Sequence, residues 1–382
     1  MHICFVAGSF PRGKEAFYTF VKAYVDSFAD KGIRCSVISP QSVTKVIVRG
    51  RKLRPVRWHY MTSNGNRVDV YQPIYFSWSN ILRKRMIKNI KNAIKRTLCS
   101  FDAPVDLFYA HFWFMGLLMA GISDGKPVFV TCGEGSEISA IHDYEKQELE
   151  EVLQNISGVV HVSSKTLDET RAAGIQKDIP YVIAPNGYNP CVFYKKDKLE
   201  IRRKLGYPEN SFIVAFVGSF DERKGSCRLS EALDGLNQKL PEGENIHSIF
   251  IGRGKCKPDC DNILHCGPLS HDAVPDYLNA ADIFVLPTNN EGCCNAIVEA
   301  LACHLPIVSS DKKFNDEILD ETCSIRINEM SVPEIQDTIE KLYRDRELTA
   351  RLAAGAAEKA ESLTIWERVD KITAFMNDVL KK

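Results

Sequence analysis

No stretch of about 18 consecutive apolar residues occurs, which excludes a transmembrane helix. Net charge is absent too: 49 Lys+Arg balance 49 Asp+Glu over 382 residues, so a uniformly basic nucleic-acid binder is disfavoured. The 13 cysteines are odd in number and form no paired framework. They read as reduced thiols in a cytoplasmic chain. Before the apolar run Ile3-Cys4-Phe5-Val6-Ala7 there is no basic n-region and no small-residue cleavage site, so no secretory leader is expected. No short repeat or low-complexity tract interrupts the rest.

Acid is nearly missing from one region. Lys31 to Phe101 holds 16 Lys/Arg and one acid, Asp69. Charge separated in this way points to an anionic partner. Within it, Leu82, Met86, Ile87, Ile90, Ala93, Ile94 and Leu98 fall on one arc of roughly 160° at helical spacing. The remaining arc is basic, with Arg83 intruding on the apolar side. A core-packed helix with a solvated basic face is the plain alternative. The lack of acid favours an anionic membrane surface, met by Arg83, Lys84, Arg85, Lys88, Lys91, Lys95 and Arg96. The expected location is therefore cytoplasmic and peripheral on the inner face of the cell membrane.

What the chain does contain is ordinary globular material, 45% hydrophobic and 26% charged, enough for two or three domains. Short apolar runs alternate with helical periodicity. Residues 2–7 read as a strand, Phe17 to Gly32 as a helix, and Arg34–Ser39 as the next strand. Runs at 105–110, 127–131 and 158–162 continue this βαβ pattern. The polar stretch 188–211 reads as the connection between domains. A second series follows at 212–217, 248–251, 262–265 and 282–287. The fold class is α/β, with two Rossmann-like halves and a cleft between them.

The most informative segment runs from Pro287 to Val308. A strand ends at Pro287, a loop carries Glu291 and Gly292, and a helix opens near Asn295, which could cap it. First-turn amides at Cys294, Asn295 and Ala296 suit a diphosphate. Glu299, about one turn further in, can accept both hydroxyls of a ribose. On spacing alone, two surface glutamates on a strand–loop–helix explain the segment equally well.

The segment resembles the E-x7-E signature of retaining glycosyltransferases of family 4, including its flanking Asp282, Pro287, Gly292, Asn295, Ala300 and Pro306. Other parts follow in that family's order. They are Ala184-Pro185-Asn186-Gly187 with Phe193, Val217-Gly218-Ser219 through Lys224-Gly225, Gly252-Arg253-Gly254, Tyr109-Ala110-His111-Phe112, Ser9-Phe10-Pro11 and Trp366. The resemblance implies a GT-B fold: two facing Rossmann-like domains with a C-terminal helix crossing back. It places an acceptor-side domain at 1–188 with the tail helix 365–382, and a nucleotide-sugar domain at 189–364.

The resemblance also implies roles. Glu299 would hold the ribose, and Lys224 with Arg223 would neutralise the diphosphate beside Gly218, Ser219 and the amides of Cys294, Asn295 and Ala296. Glu291 would bind donor-sugar hydroxyls. His111 would reach the reacting centre from the first domain, making His111, Glu291 and Lys224 the catalytic set. Gly13, Lys14 and Glu134 would lie on the acceptor side. No metal or cofactor is implied, and the nucleoside-diphosphate sugar is a co-substrate. The acceptor is lipid-linked or a glycan, and the setting is cell-surface polysaccharide assembly. The oligomeric state is left open.

Three positions depart from the family: Ser219 where an arginine is common, Glu134 within Gly133-Glu134-Gly135-Ser136, and His304 where glycine is common. They keep one rival alive, a non-catalytic binding partner; a second rival is a nucleotide-sugar epimerase of the same fold, which would need neither an acceptor nor the basic region. Asp259-Cys260-Asp261 and the cluster Cys256, Cys260, His265, Cys266 read as a polar loop and ordinary thiols rather than metal sites.

Overall fold

A computed structural model describes residues 1–13, 18–48, 50, 52–77, 83–133, 135–175 and 178–381. Two compact units result: Met1–Ala184 with Val369–Lys382, and Pro185–Arg368. None of the helices among the described residues is long and apolar enough to cross a membrane.

The first unit begins β1 (His2–Val6), α1 (Thr19–Asp30), β2 (Arg34–Ile38), β3 (Gln41–Ser42), α2 (Val43–Val48), β4 (Arg57–Met61), β5 (Arg67–Tyr71) and β6 (Ile74–Tyr75). It continues with α3 (Arg83–Leu98), β7 (Leu107–His111), α4 (Trp113–Ala120), β8 (Val128–Cys132), α5 (Lys146–Leu153), β9 (Ile156–His161), α6 (Ser164–Ala172) and β10 (Tyr181–Ile183). The eight-stranded sheet runs β10-β9-β8-β7-β1-β2-β5-β4. Its pairs are parallel except β4 with β5. Strands β1, β7 and β8 are buried along their whole length, as the uninterrupted apolar runs of a sheet covered on both faces require.

The hairpin β4–β5 was not legible as such, because β4 alternates exposed and half-buried residues with no buried position, although β5 buries Val68 and Val70. The turn Ser63-Asn64-Gly65-Asn66 was its available signal; Gly65 there has φ +80°. The strand order reverses between β1 and β7, so the loops after these strands sit at a switch point.

Helix α3 turns the apolar face read from the sequence into the core through Ile87, Ile90 and Ile94. Leu82 lies outside the described residues. Of the basic residues assigned to a membrane, Arg83 pairs with Asp143 and Lys84 with Glu145. Lys91 is half-buried over the Tyr144 ring, and burial holds its pKa below the lysine norm. These three correct the expected list: Arg83 and Lys84 are met by acids from another segment, and Lys91 lies against an aromatic ring. Elsewhere in the basic region, Lys31 meets Asp370 and Arg57 meets Asp102.

The second unit contains α7 (Lys198–Leu205), β11 (Phe212–Val217), α8 (Ser226–Asn237), β12 (Ile246–Ile251), β13 (Ile263–Gly267), α9 (Val274–Ala280), β14 (Ile283–Leu286), α10 (Asn295–Ala302), β15 (Ile307–Ser310), β16 (Ser324–Ile327), α11 (Val332–Arg344) and α12 (Arg346–Glu361). Its six strands are all parallel, in the order β13-β12-β11-β14-β15-β16. Here the reversal lies between β11 and β14.

The stretch read as a connection, 188–211, folds into this unit instead. Arg202 on α7 is buried and donates to the Ala280, Glu209 and Ser211 carbonyls and to Asp282. Lys198 meets Asp282, while Lys196 and Lys204 share Asp276. Its polar composition reflects charges satisfied at a distance in sequence, which no local reading could reveal. The chain ends in α13 (Ile365–Leu380), whose Val369, Ile372 and Met376 belong to the core of the first unit.

Candidate functional site

The site assembles at the carboxyl ends of β11 and β14. Gly225 opens α8 with φ +75°, and an added Cβ would lie 2.5 Å from the Pro287 carbonyl. Only glycine permits that approach, which brings the loop after β11 against the loop after β14. Asn289 N–H donates to the Arg223 carbonyl at 2.8 Å. Arg228 adds a clamp that the sequence reading missed: its buried guanidinium donates to the Pro287, Glu222 and Glu329 carbonyls. One arginine on a helix face gave no signal of that role.

This juxtaposition brings Lys224, Arg223 and Glu291 together. Glu291 Oε1 lies 2.6 Å from Lys224 Nζ and 2.7 Å from Arg223 Nη1, and accepts from Thr288 Oγ1 at 2.7 Å. Burial works against the lysine charge, but Cys294 and Glu291 hold its pKa above the usual value. Burial pushes the Cys294 thiol up, despite Lys224 nearby. Ser219 hydroxyl donates to Asp221, whose other oxygen accepts the Lys224 amide. At this family-variable position the serine thus shapes the loop, and Arg223 is the guanidinium present beside Lys224.

Gly218 is committed otherwise: its N–H donates to the Ile251 carbonyl at 3.0 Å. That corrects any use of this amide for a phosphate. The Gly252-Arg253-Gly254 strand end is likewise packing. A Cβ at Gly252 would fall 1.8 Å from the Gly218 carbonyl, and one at Gly254 would fall 2.1 Å from that of Phe220.

Helix α10 begins one residue earlier than an Asn295 cap requires. Cys294 is the N-cap and makes no side-chain cap bond, so Asn295 is the first helical residue. Its start is fixed from behind: Asn186 N–H reaches Cys293 Sγ, Asn186 Nδ2 reaches the Cys293 carbonyl, and Arg368 holds Asn186 Oδ1. Gly187 packs against the backbone of Thr364 and Ile365, 2.7 Å from a Cβ it lacks.

Glu299 has its own partner, His271 Nε2 at 3.2 Å. That contact raises the histidine's pKa above 6.5, and the ring rests edge-on against Phe193. His271 too was missed, since a lone loop histidine carries no motif. At the far end of α10, His304 takes φ +59° in the place where glycine is common. Its amide and that of Leu305 close the helix on Leu301 and Ala300.

In the first unit, His111 ends β7 at its switch point. The ring is buried among Phe5, Phe20, Tyr24, Tyr109 and Phe112. Neither ring nitrogen has a hydrogen-bond partner among the described residues. Burial lowers its pKa to about 4. The imidazole is thus neutral and enclosed, where the sequence reading expected it extended toward a sugar. Gly13 lies in an open turn with φ +61°; Lys14 and Glu134 lie outside the described residues. The Asp259-Cys260-Asp261 loop is folded onto α8 by Ser230 and Asp234.

Residues 197–359 match the family model "Glycosyl transferases group 1". The chain is 28% identical, over 81% of each sequence, to the protein named as the teichuronic acid biosynthesis glycosyltransferase TuaC of Bacillus subtilis. It is 28% identical to the alpha-D-kanosaminyltransferase of Streptomyces kanamyceticus over 42% of this chain and 43% of that one. Among solved structures, sucrose-phosphate synthase from Thermosynechococcus elongatus superposes with a TM-score of 0.78 at 15% identity, covering 100% of this chain and 99% of that one. HepE of Anabaena, in complex with UDP and glucose, gives 0.69 at 16%, covering 99% and 100%. At such identities the likeness speaks to the fold, which is GT-B. The matched residues carry Lys224, Glu291 and Glu299 on the unit just described, and over those residues the chain is similar to the group 1 glycosyl transferases.

Proposed function

We propose that this glycosyltransferase takes a nucleoside-diphosphate sugar and transfers the sugar, with retention and without a metal, to a lipid-linked or glycan acceptor in cell-surface polysaccharide assembly. The observation that carries the reading is the Lys224–Glu291–Arg223 cluster at the switch point, next to a helix start that no side chain caps. HepE, solved with UDP and glucose, supports a nucleotide sugar as donor. TuaC supports the polysaccharide setting.

In this reading the diphosphate displaces Glu291 from Lys224 and Arg223 and meets the amides of Asn295 and Ala296. The freed Glu291 carboxylate then accepts from sugar hydroxyls. Glu299, steadied by His271 through Oε1, accepts from the ribose diol. The acceptor oxygen attacks the anomeric carbon on the face the phosphate leaves. The carbon–oxygen bond to phosphate breaks, and the departing phosphate oxygen takes the acceptor proton. No side-chain nucleophile is needed.

Calorimetry with UDP tests the assignment of roles. Lys224→Ala and Glu299→Gln are each expected to weaken binding tenfold or more; unchanged affinity in both overturns it. Activity that disappears with a chelator removes the metal-free part. Inversion at the anomeric carbon, read from proton couplings of the product, removes retention.

A further inference from the structure

Seven of the exposed large apolar side chains lie between residues 47 and 76: Ile47, Val48, Leu53, Val56, Met61, Ile74 and Phe76. Water normally claims such side chains singly; a group of them marks a surface that something covers. Six of the seven surround one small feature, the β3–β6 pair.

The feature is stitched in place. Gln41 pairs with Ile74 across the two strands, and its side chain donates to the Arg54 and Gln72 carbonyls. Arg54 in turn donates to the Phe10 carbonyl. Ser42 and Ser77 share a hydroxyl bond at 2.6 Å. Helix α2 leaves β3 directly and carries Ile47 and Val48, which are 68% and 79% exposed. On the other side Phe76, 59% exposed, is tied by its carbonyl to Asn89 of α3 at 3.1 Å. That bond sets the apolar feature beside the turn of α3 that presents Arg85 and Lys88.

Both of these cations are exposed and carry no ion pair among the described residues, as do Lys95 and Arg96 further along the same face and Lys52 beside Leu53. Among the described residues nearby, Arg57 and Arg67 are ion-paired and Arg54 donates to a carbonyl, whereas Lys52, Arg85 and Lys88 are not paired. The apolar face of α3 is committed to the core, so that helix supplies charge and no insertion.

We propose that the β3–β6 feature and the first half of α3 dock this unit on an anionic lipid bilayer. Ile47, Val48 and Phe76 enter the boundary between headgroups and acyl chains, while Lys52, Arg85 and Lys88 lie against lipid phosphates. Cation next to protruding aliphatic is the chemistry of a bilayer surface, negative outside and apolar a few ångströms beneath. The inference rests on the reading of a membrane-presented acceptor, yet it is measured without donor or acceptor, so the two fail separately.

The test is co-sedimentation of the full chain with vesicles of phosphatidylcholine alone or mixed with phosphatidylglycerol. Binding is expected to the mixed vesicles only. The triple variant Ile47→Ser, Val48→Ser, Phe76→Ser should bind at least tenfold more weakly at every salt concentration. Lys52→Gln, Arg85→Gln and Lys88→Gln should each cost about fivefold at low salt and flatten the salt dependence. Circular dichroism and an unshifted melting point serve as the folding control. Equal binding to both vesicle types, binding to neither, or full binding by the serine variant overturns the proposal. So does a concentration-dependent dimer that the serine variant abolishes, for the surface would then be covered by a second copy.

Discussion

Each unit places charge-bearing side chains at the carboxyl end of a parallel sheet, and the two treat them in opposite ways. In the second unit each carboxylate of the glutamate pair has a partner: Glu291 holds the cations Lys224 and Arg223, and Glu299 meets the His271 imidazole. In the first unit His111 is enclosed by five aromatic rings, with both ring nitrogens unpaired among the described residues. The first arrangement stores charge ready for exchange with an anion. The second holds a base uncharged by keeping water away. The same switch-point geometry therefore hosts an ion-exchange site in one half and a desolvated imidazole in the other.

The largest effect should come from breaking the ion-exchange side. Glu291→Gln leaves Lys224 buried without its carboxylate, which is expected to cost about 3–5 kcal/mol in chemical denaturation. Added pyrophosphate should then raise the melting point of the variant more than that of the parent. Equal stability, or an equal response to pyrophosphate, would show that the three side chains are not coupled.

Next comes the imidazole. Folding holds His111 neutral down to about pH 4, whereas the unfolded chain takes up the proton near 6.5. Protons therefore favour unfolding in that window, and the parent should lose about 3 kcal/mol between those limits. His111→Phe should lack this loss, seen as a lower acid midpoint by circular dichroism. Superimposable acid titrations would mean that the ring is reached by water.

The smallest effect belongs to His271, which is half-exposed and screened. Its pKa is raised in the folded chain, so its contribution is full below 6.5 and fades as pH rises through the raised value. His271→Asn should flatten the alkaline fall in UDP affinity without abolishing binding. The two histidines thus predict opposite slopes: one unit weakens toward acid, the other toward base. Identical pH profiles for parent and His271→Asn would separate Glu299 from its proposed partner.

Legibility followed the range of each interaction. The alternation of apolar runs announced two parallel α/β units, because a strand buried on both faces must be apolar throughout. Glu291, Glu299, Lys224 and Gly225 stood out through the family resemblance of their segments; spacing alone left the two glutamates open to a plain surface reading. The stretch 188–211 was misread because its charges look solvated until Asp276 and Asp282, 72 to 84 residues away, are seen to neutralise them. Helix α3 was read correctly for amphipathicity, while the pattern named an apolar face and not what covers it, which is the core of the first unit. Arg228 and His271 had no local signal at all; each acts through a carbonyl or carboxylate brought near by strand order.

Composition, period and turn chemistry were enough to set the α/β class of the fold and its two halves. They act between near neighbours, and near neighbours are what a sequence records. Which cations are free, which are neutralised, and which histidine is dry depend on partners recruited across the sheet. Those were decided by packing, because the electrostatic cost of a charge is set by everything within a few ångströms of it, whatever its place in the chain.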